Sequence, residues 1–415
     1  MSCRLSLRPL FIGLAALALV LTVQARAHAE AKLLVDVATG KVLHAENATY
    51  PWYPASVTKL MTAYTVLRSV KEGRIKLDTV ITVTRDAAAQ QPVKMGFAVG
   101  TRLTIDNALK MMLVKSANDV AVAIAEGVGG SIGGFADMMN ANARRLGMSE
   151  SHFVNPNGLP AEDHVTSARD LAILARAIIN EFPEYDFYFH IHSIQYGSRV
   201  IHNYNSLLDR YPGADGMKTG FICASGYNLV ATATRNGRRL IAIILGAWSG
   251  AVRAQQAASL LETGFNGAGL SWLTPSLGTV DALAPIDAQP PNLREEMCGG
   301  HRRKPPSEDN DEEQEEGATA ATAGSPQAFM LSSLKPSAGK FVLGPPVDTT
   351  PPVVVYTGPA GHPDPVRVAR PARHSHKKAA HRAGKAEKKA GATSAKASKS
   401  RRHRKAKAKV SAASK

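Results

Sequence analysis

Apolar and polar positions alternate near the start of the chain, then recur at helical spacing, then alternate again. Residues 32–37 and 42–45 flank Ala38-Thr39-Gly40-Lys41, a pattern that predicts a β-hairpin. Over 57–70, Leu60, Met61, Tyr64 and Leu67 recur at helical spacing. Further helices are expected at 105–114, 120–126, 135–146 and 168–179. In the last of these Leu171, Leu174, Ala175 and Ile178 form an apolar stripe. Residues 227–234 and 240–248 read as strands joined at Arg235-Asn236-Gly237, a hairpin signal, and 251–265 reads as a closing helix. A strand pair, a helical middle, further strands and a final helix predict an α/β (α+β) fold. Its sheet is mainly antiparallel and flanked by helices, with a helical subdomain. No repeat of fixed period is visible.

This patterning holds over 30–270, the expected extent of one folded domain, and order is expected to fade beyond Leu270. Residues 271–365 read as a linker. It contains an acidic block, 308–316, with seven carboxylates in nine residues, and a Pro-rich stretch at 345–352. Low hydrophobicity and high charge cannot offset ordering entropy, so 300–415 is expected to be mostly disordered. Charge changes the picture further. The net charge of +16 suggests a nucleic-acid binder, but residues 366–415 hold 18 Lys and Arg against one acid, Glu387, a balance of +17. The other 365 residues therefore sum to −1. The basicity belongs to a tail, and a nucleic-acid partner is not expected physiologically.

At the other end Arg4 and Arg8 precede an apolar run over 10–21, followed by Ala27-His28-Ala29. That is the pattern of a signal peptide, 1–29, and it predicts an exported protein in the periplasm or cell envelope. No other stretch is apolar enough to span a bilayer. Three cysteines are too few for a disulfide scaffold. Removing 1–29 leaves Cys223 and Cys298. Cys223 reads as a buried small hydrophobe, the alternative being a reactive thiol near a cleft.

Three short motifs carry candidate chemistry. In Pro54-Ala55-Ser56-Val57-Thr58-Lys59, a Ser at a helix start and a Lys three residues on share one face. A Lys whose pKa is lowered by its surroundings can activate a hydroxyl nucleophile. Alone the signal is weak. Ser is also the usual helix cap, and Ser-x-x-Lys recurs at Ser332, Ser337 and Ser375. Ser116-Ala117-Asn118 follows between two helical segments, and Lys218-Thr219-Gly220 precedes the 227–234 strand. Gly permits close backbone approach, while Lys and Thr suit an anionic substrate end. The three motifs in this order form the signature of serine β-lactamases and penicillin-binding proteins.

At these residues the chain resembles the D-alanyl-D-alanine carboxypeptidases, the low-molecular-mass penicillin-binding proteins. The surroundings are similar too: Tyr50-Pro51-Trp52-Tyr53, Phe153-Val154-Asn155-Pro156-Asn157-Gly158-Leu159, Thr166-Ser167-Ala168-Arg169-Asp170, and Asp215-Gly216-Met217 before Lys218. The resemblance implies a β-lactamase/transpeptidase-like fold. It implies Ser56 as the acylated nucleophile, Lys59 as its base and Ser116 as a proton relay. Asn118 would hold the substrate backbone, Lys218 and Thr219 with Gly220 the terminal carboxylate, and the N–H groups of Ser56 and Phe221 an oxyanion. Peptidoglycan stem peptides would be the substrate, β-lactam antibiotics covalent inhibitors, and no metal or organic cofactor is required.

Alternatives stay open. A serine β-lactamase shares fold and motifs but needs a carboxylate to activate the deacylating water, for which Glu162 or Asp163 are candidates. A DD-endopeptidase that cuts cross-links is a milder variant, open as a second activity. His164 reads as structural, and His374, His376 and His381 lie in a tail without fixed metal geometry. Longer family members carry a β-rich second domain and an amphipathic anchor helix, for which 271–301 is too short. The basic tail, attracted to anionic lipids or wall polymers, is a candidate replacement.

Overall fold

The computed structural model describes residues 30–267, 276–300, 342–347 and 350–364. A five-stranded sheet forms the centre, built from β1 (Ala31–Asp36), β2 (Val42–Glu46), β7 (Ala214–Ile222), β8 (Gly226–Arg235) and β9 (Arg238–Ala247). Its order is β2-β1-β9-β8-β7 and every pairing is antiparallel. The expected hairpins are both present, with Arg235 paired to Arg238 across the Asn236-Gly237 turn. Period-two alternation divides β9 between two cores. Ile241, Ile243 and Leu245 face one cluster, and Leu240, Ala242 and Ile244 face the other.

The first face is covered by α1 (Lys59–Lys71), α2 (Ile105–Val114), α3 (Asn118–Gly129), α4 (Ile132–Leu146) and α5 (Ala168–Glu181), and the second by α6 (Gly250–Asn266). The helices start where small hydroxyl residues cap them: Thr104, Ser131, Ser167 and Ser249 each accept a backbone N–H from the first turn. Two small pairings, β3 (Val80–Thr82) with β4 (Arg102–Thr104) and β5 (Ser193–Tyr196) with β6 (Arg199–His202), complete the helical side. The α+β architecture expected from the sequence is the one observed.

Packing continues past Leu270, which corrects the expectation that order fades there. Val280, Leu293 and Met297 are buried in the main core. Val280 N–H donates to Gly40 O at 2.9 Å, and Leu293 N–H to Ala224 O at 3.0 Å. Cys223 and Cys298 are joined by a disulfide, so Cys223 is neither a free thiol nor a simple hydrophobe. The pairing was illegible because it links two lone cysteines 75 residues apart. Closing a loop of that length restricts the unfolded chain by about 4 kcal/mol in the entropy account. Cys298→Ser should therefore cost about 2–4 kcal/mol, read as a lower denaturant midpoint, with no loss under reducing conditions.

The Pro-rich region also contributes structure where disorder was expected. Val353–Val355, β10, pairs in parallel with β5, burying Val355, since three β-branched residues suit an open sheet edge. Beyond it Tyr356 N–H donates to Asn107 Oδ1 at 3.0 Å and Gly358 N–H to Arg102 O at 2.8 Å. The signal-peptide reading of 1–29, the acidic block and the basic tail 366–415 lie outside the described residues.

Candidate active site

Ser56 stands in a 3-10 turn, Ala55–Thr58, that runs directly into α1. Lys59 is the first residue of that helix, so the i, i+3 spacing brings the two side chains together. Its Nζ, fully buried, stands 2.8 Å from each of Ser56 Oγ, Asn118 Oδ1 and Asn157 O. A neutral amine has two N–H bonds and one lone pair. With the two N–H bonds given to Asn118 and Asn157, the lone pair is left facing Ser56 Oγ–H. The arrangement can therefore draw the hydroxyl proton toward nitrogen and expose a nucleophilic oxygen.

Asn118 opens α3, with Ser116 just before it in left-handed backbone (φ 60°). Asn118 Nδ2 donates to Gln91 O and its N–H to Val93 O, at 3.0 and 2.8 Å. Asp119 accepts from Met95 N–H and Gly96 N–H, so the 90–97 loop is tied to the same helix start. Among the described residues the buried hydroxyls Ser116 Oγ and Thr219 Oγ1 have no hydrogen-bond partner. Buried polar atoms are rarely left so, and both belong to the expected site.

Lys218, Thr219, Gly220 and Phe221 lie on β7, an edge strand, whereas the sequence placed this motif ahead of a strand. Lys218 is buried and donates to Thr219 O at 3.1 Å. Gly220 sets the approach. A Cβ there would stand 2.7 Å from Ser56 N and 2.9 Å from Val57 N, so only glycine lets β7 pass this close to the backbone at Ser56. Phe221, directly across from Tyr227 in the β7–β8 ladder, rests on that ring at 4.4 Å between centroids.

Sequence reasoning missed several supports. Asn157 supplies only its carbonyl to Lys59, while its Nδ2 donates to Gln90 Oε1 at 2.9 Å. Asn155 Oδ1 accepts from Gly158 N–H at 2.8 Å and shapes the turn that presents this carbonyl. Asn228 on β8 donates to Tyr53 O and Pro54 O and accepts from Gly246 N–H, pinning the segment before Ser56 to the sheet. Surrounding Asn and Gly residues in the 153–159 motif were the available signal, but a backbone acceptor leaves no side-chain mark.

His164 is buried. Its Nδ1 accepts Val154 N–H at 2.9 Å, so Nε2 carries the proton and donates to Thr58 Oγ1 at 2.8 Å. Burial, with the nearby His152 second, pulls its pKa down to about 3. The unfolded chain, with an ordinary pKa of about 6.5, takes up this proton first as pH falls. The stability His164 contributes is complete above about pH 6.5 and is lost as pH falls toward about 3; at pH 4.5 the loss is about 2–3 kcal/mol. Unfolding midpoints should drop over this window, and less steeply in His164→Asn. An identical slope in the variant would refute the assignment.

A Ser–Lys pair, its lysine buried, beside an asparagine and facing a Lys-Thr-Gly edge strand, is an arrangement that can support serine acyl transfer. A family profile described as D-alanyl-D-alanine carboxypeptidase matches residues 20–249, and the chain belongs to that family. It is 38% identical over 244 residues to the D-alanyl-D-alanine carboxypeptidase DacD of Escherichia coli K12, a match covering 57% of this chain and 63% of that one. The chain thus spans under two thirds of that relative's length. Solved structures with the same fold include penicillin binding protein 6B from Escherichia coli (TM-score 0.55, 38% identity, 57% of this chain and 77% of that one). Penicillin-binding protein D2 from Listeria monocytogenes, in a cefotaxime-bound form, is another (TM-score 0.52, 29% identity, 57% and 96%).

Proposed function

We propose that this protein is a penicillin-sensitive serine D-Ala-D-Ala carboxypeptidase acting on peptidoglycan stem peptides. The observation that carries the reading is Lys59 Nζ held between Ser56 Oγ, Asn118 Oδ1 and Asn157 O. Ser56 Oγ attacks the carbonyl of the penultimate D-alanine as its proton passes to Lys59. The oxyanion is met by the N–H groups of Ser56 and Phe221. Collapse breaks the peptide bond, and the leaving D-alanine amine takes a proton through Ser116. Water then attacks the ester and returns the proton to Ser56, leaving the shortened peptide. Lys218 and Thr219 receive the terminal carboxylate, which gives the unpartnered Thr219 hydroxyl an acceptor.

Family membership and the cefotaxime-bound Listeria relative support covalent inhibition by β-lactams. The bacterial relatives support a place in the cell envelope, reached through a signal peptide at 1–29. Among the described residues no single helix is long and apolar enough to cross a membrane. The basic tail is the proposed contact to anionic lipids or wall polymers, weakened by salt.

Matched peptides test the substrate reading. D-Alanine should be released from a free D-Ala-D-Ala terminus at least about 100-fold faster than alaninamide from its amidated counterpart, because a charged acceptor is lost at Lys218 and Thr219. Equal rates would contradict it.

A further inference from the structure

The three motifs of the site come from distant parts of the chain, and the buried segment Asn203-Tyr204-Asn205 reaches the supports of all three. Lys115 Nζ donates to Tyr204 Oη at 2.7 Å and stands 5.2 Å from the centre of that ring. Tyr204 O accepts from Arg253 Nη2 at 3.4 Å, and Arg253 Nη1 donates to Asn228 O at 3.3 Å. Asn228 is the residue that pins Tyr53 O and Pro54 O ahead of Ser56. Asn205 Nδ2 donates to Gly216 O at 2.8 Å, on β7 just before Lys218. Asn203 anchors the segment in turn, giving its N–H to His192 O at 2.7 Å and its Nδ2 to Ile191 O at 2.9 Å.

The tie from Lys115 bears on Ser116. Ser116 is buried at φ 60°, a left-handed conformation that a residue with a Cβ keeps only where its surroundings fix it. It is fixed from both sides. Asn118 follows it and meets Lys59 Nζ, while Lys115 precedes it at the end of α2. A helix end is poorly held by its own backbone bonds, so the side chain of Lys115 supplies a hold there. An ammonium only donates, so the phenol oxygen accepts, and the charge makes this one of the stronger kinds of hydrogen bond.

We propose that Lys115 and Tyr204 are a positioning pair that aims the Ser116 hydroxyl at the leaving nitrogen. Neither touches the substrate; both act through Ser116. The proposal rests on the carboxypeptidase reading and deepens it by naming what holds the proton donor. Ser116 gives its proton to the nitrogen and regains the one that Lys59 took from Ser56. An amide nitrogen must be protonated before its C–N bond breaks, because the bare anion is too basic to leave. An ester oxygen leaves far more readily and takes its proton afterwards. Misaiming Ser116 therefore penalises amides and spares esters.

Full-length protein would be assayed on a peptide ending in D-Ala-D-Ala and on its ester counterpart ending in D-Ala-D-lactate. The readout is kcat/KM, which covers the steps up to acylation. Tyr204→Phe keeps the ring and removes the acceptor. It should lower D-alanine release about ten- to thirty-fold and D-lactate release less than about three-fold. Lys115→Met should do the same, and decides the matter if Tyr204→Phe unfolds; Lys115→Arg, which can still donate to the phenol, should recover most of the amide rate. In a Ser116→Ala protein, adding Tyr204→Phe should change neither rate by more than about two-fold. Equal losses on amide and ester, no loss on the amide, or a further loss in the Ser116→Ala protein would overturn the positioning role and leave the carboxypeptidase reading standing. No release of D-alanine or D-lactate by the unaltered protein would overturn both.

Discussion

Ser56→Ala is expected to lower D-alanine release by at least about 10⁴-fold and to abolish the covalent β-lactam adduct seen by intact mass. The fold should remain, within about 1 kcal/mol by thermal unfolding. Ser56 is only partly buried, and Lys59 keeps its contacts to Asn118 Oδ1 and Asn157 O. Removing the hydroxyl deletes the atom proposed to be acylated, so the loss should fall on kcat itself. An adduct that persists in Ser56→Ala would move the nucleophile elsewhere.

Gly158→Ala should damage the site without touching any group that reacts. Gly158 has φ 81°, and a Cβ there would stand 1.8 Å from Ala55 O and 2.9 Å from Thr58 Oγ1. Neither neighbour can yield easily, because Ala55 is itself in left-handed backbone at φ 50° and fully buried. Relief requires the 155–159 turn to retreat, carrying Asn157 O away from Lys59. The expected cost is about 2–4 kcal/mol of stability, with kcat down about 100-fold or more as the amine loses its orientation. Near-normal kcat in a folded Gly158→Ala protein would show that the Asn157 carbonyl does not orient Lys59.

Much of this was legible in the sequence because it rests on side chains at fixed spacing. The stripe Leu171, Leu174, Ala175 and Ile178 is a helix face, and Ser56 and Lys59 meet because i and i+3 share one side of a helix. What escaped depends on tertiary placement. In β7, Met217–Gly220 are all buried, so no alternation marked a strand in Asp215-Gly216-Met217-Lys218-Thr219. β10 needed the open edge of β5 before three valines in a Pro-rich stretch could mean a strand. The packing of Leu293 and Met297 beyond the expected domain end goes with a Cys223–Cys298 pairing that no local pattern marks. Asn157 works through a carbonyl that every residue possesses.

The most direct test follows D-alanine and benzylpenicillin together, in parallel tubes of the full-length protein with a D-Ala-D-Ala peptide. The account predicts steady release of D-alanine that stops when penicillin forms a slowly hydrolysed adduct on Ser56. Rapid destruction of penicillin with no D-alanine released would contradict it and mark the site as a β-lactamase on the same frame.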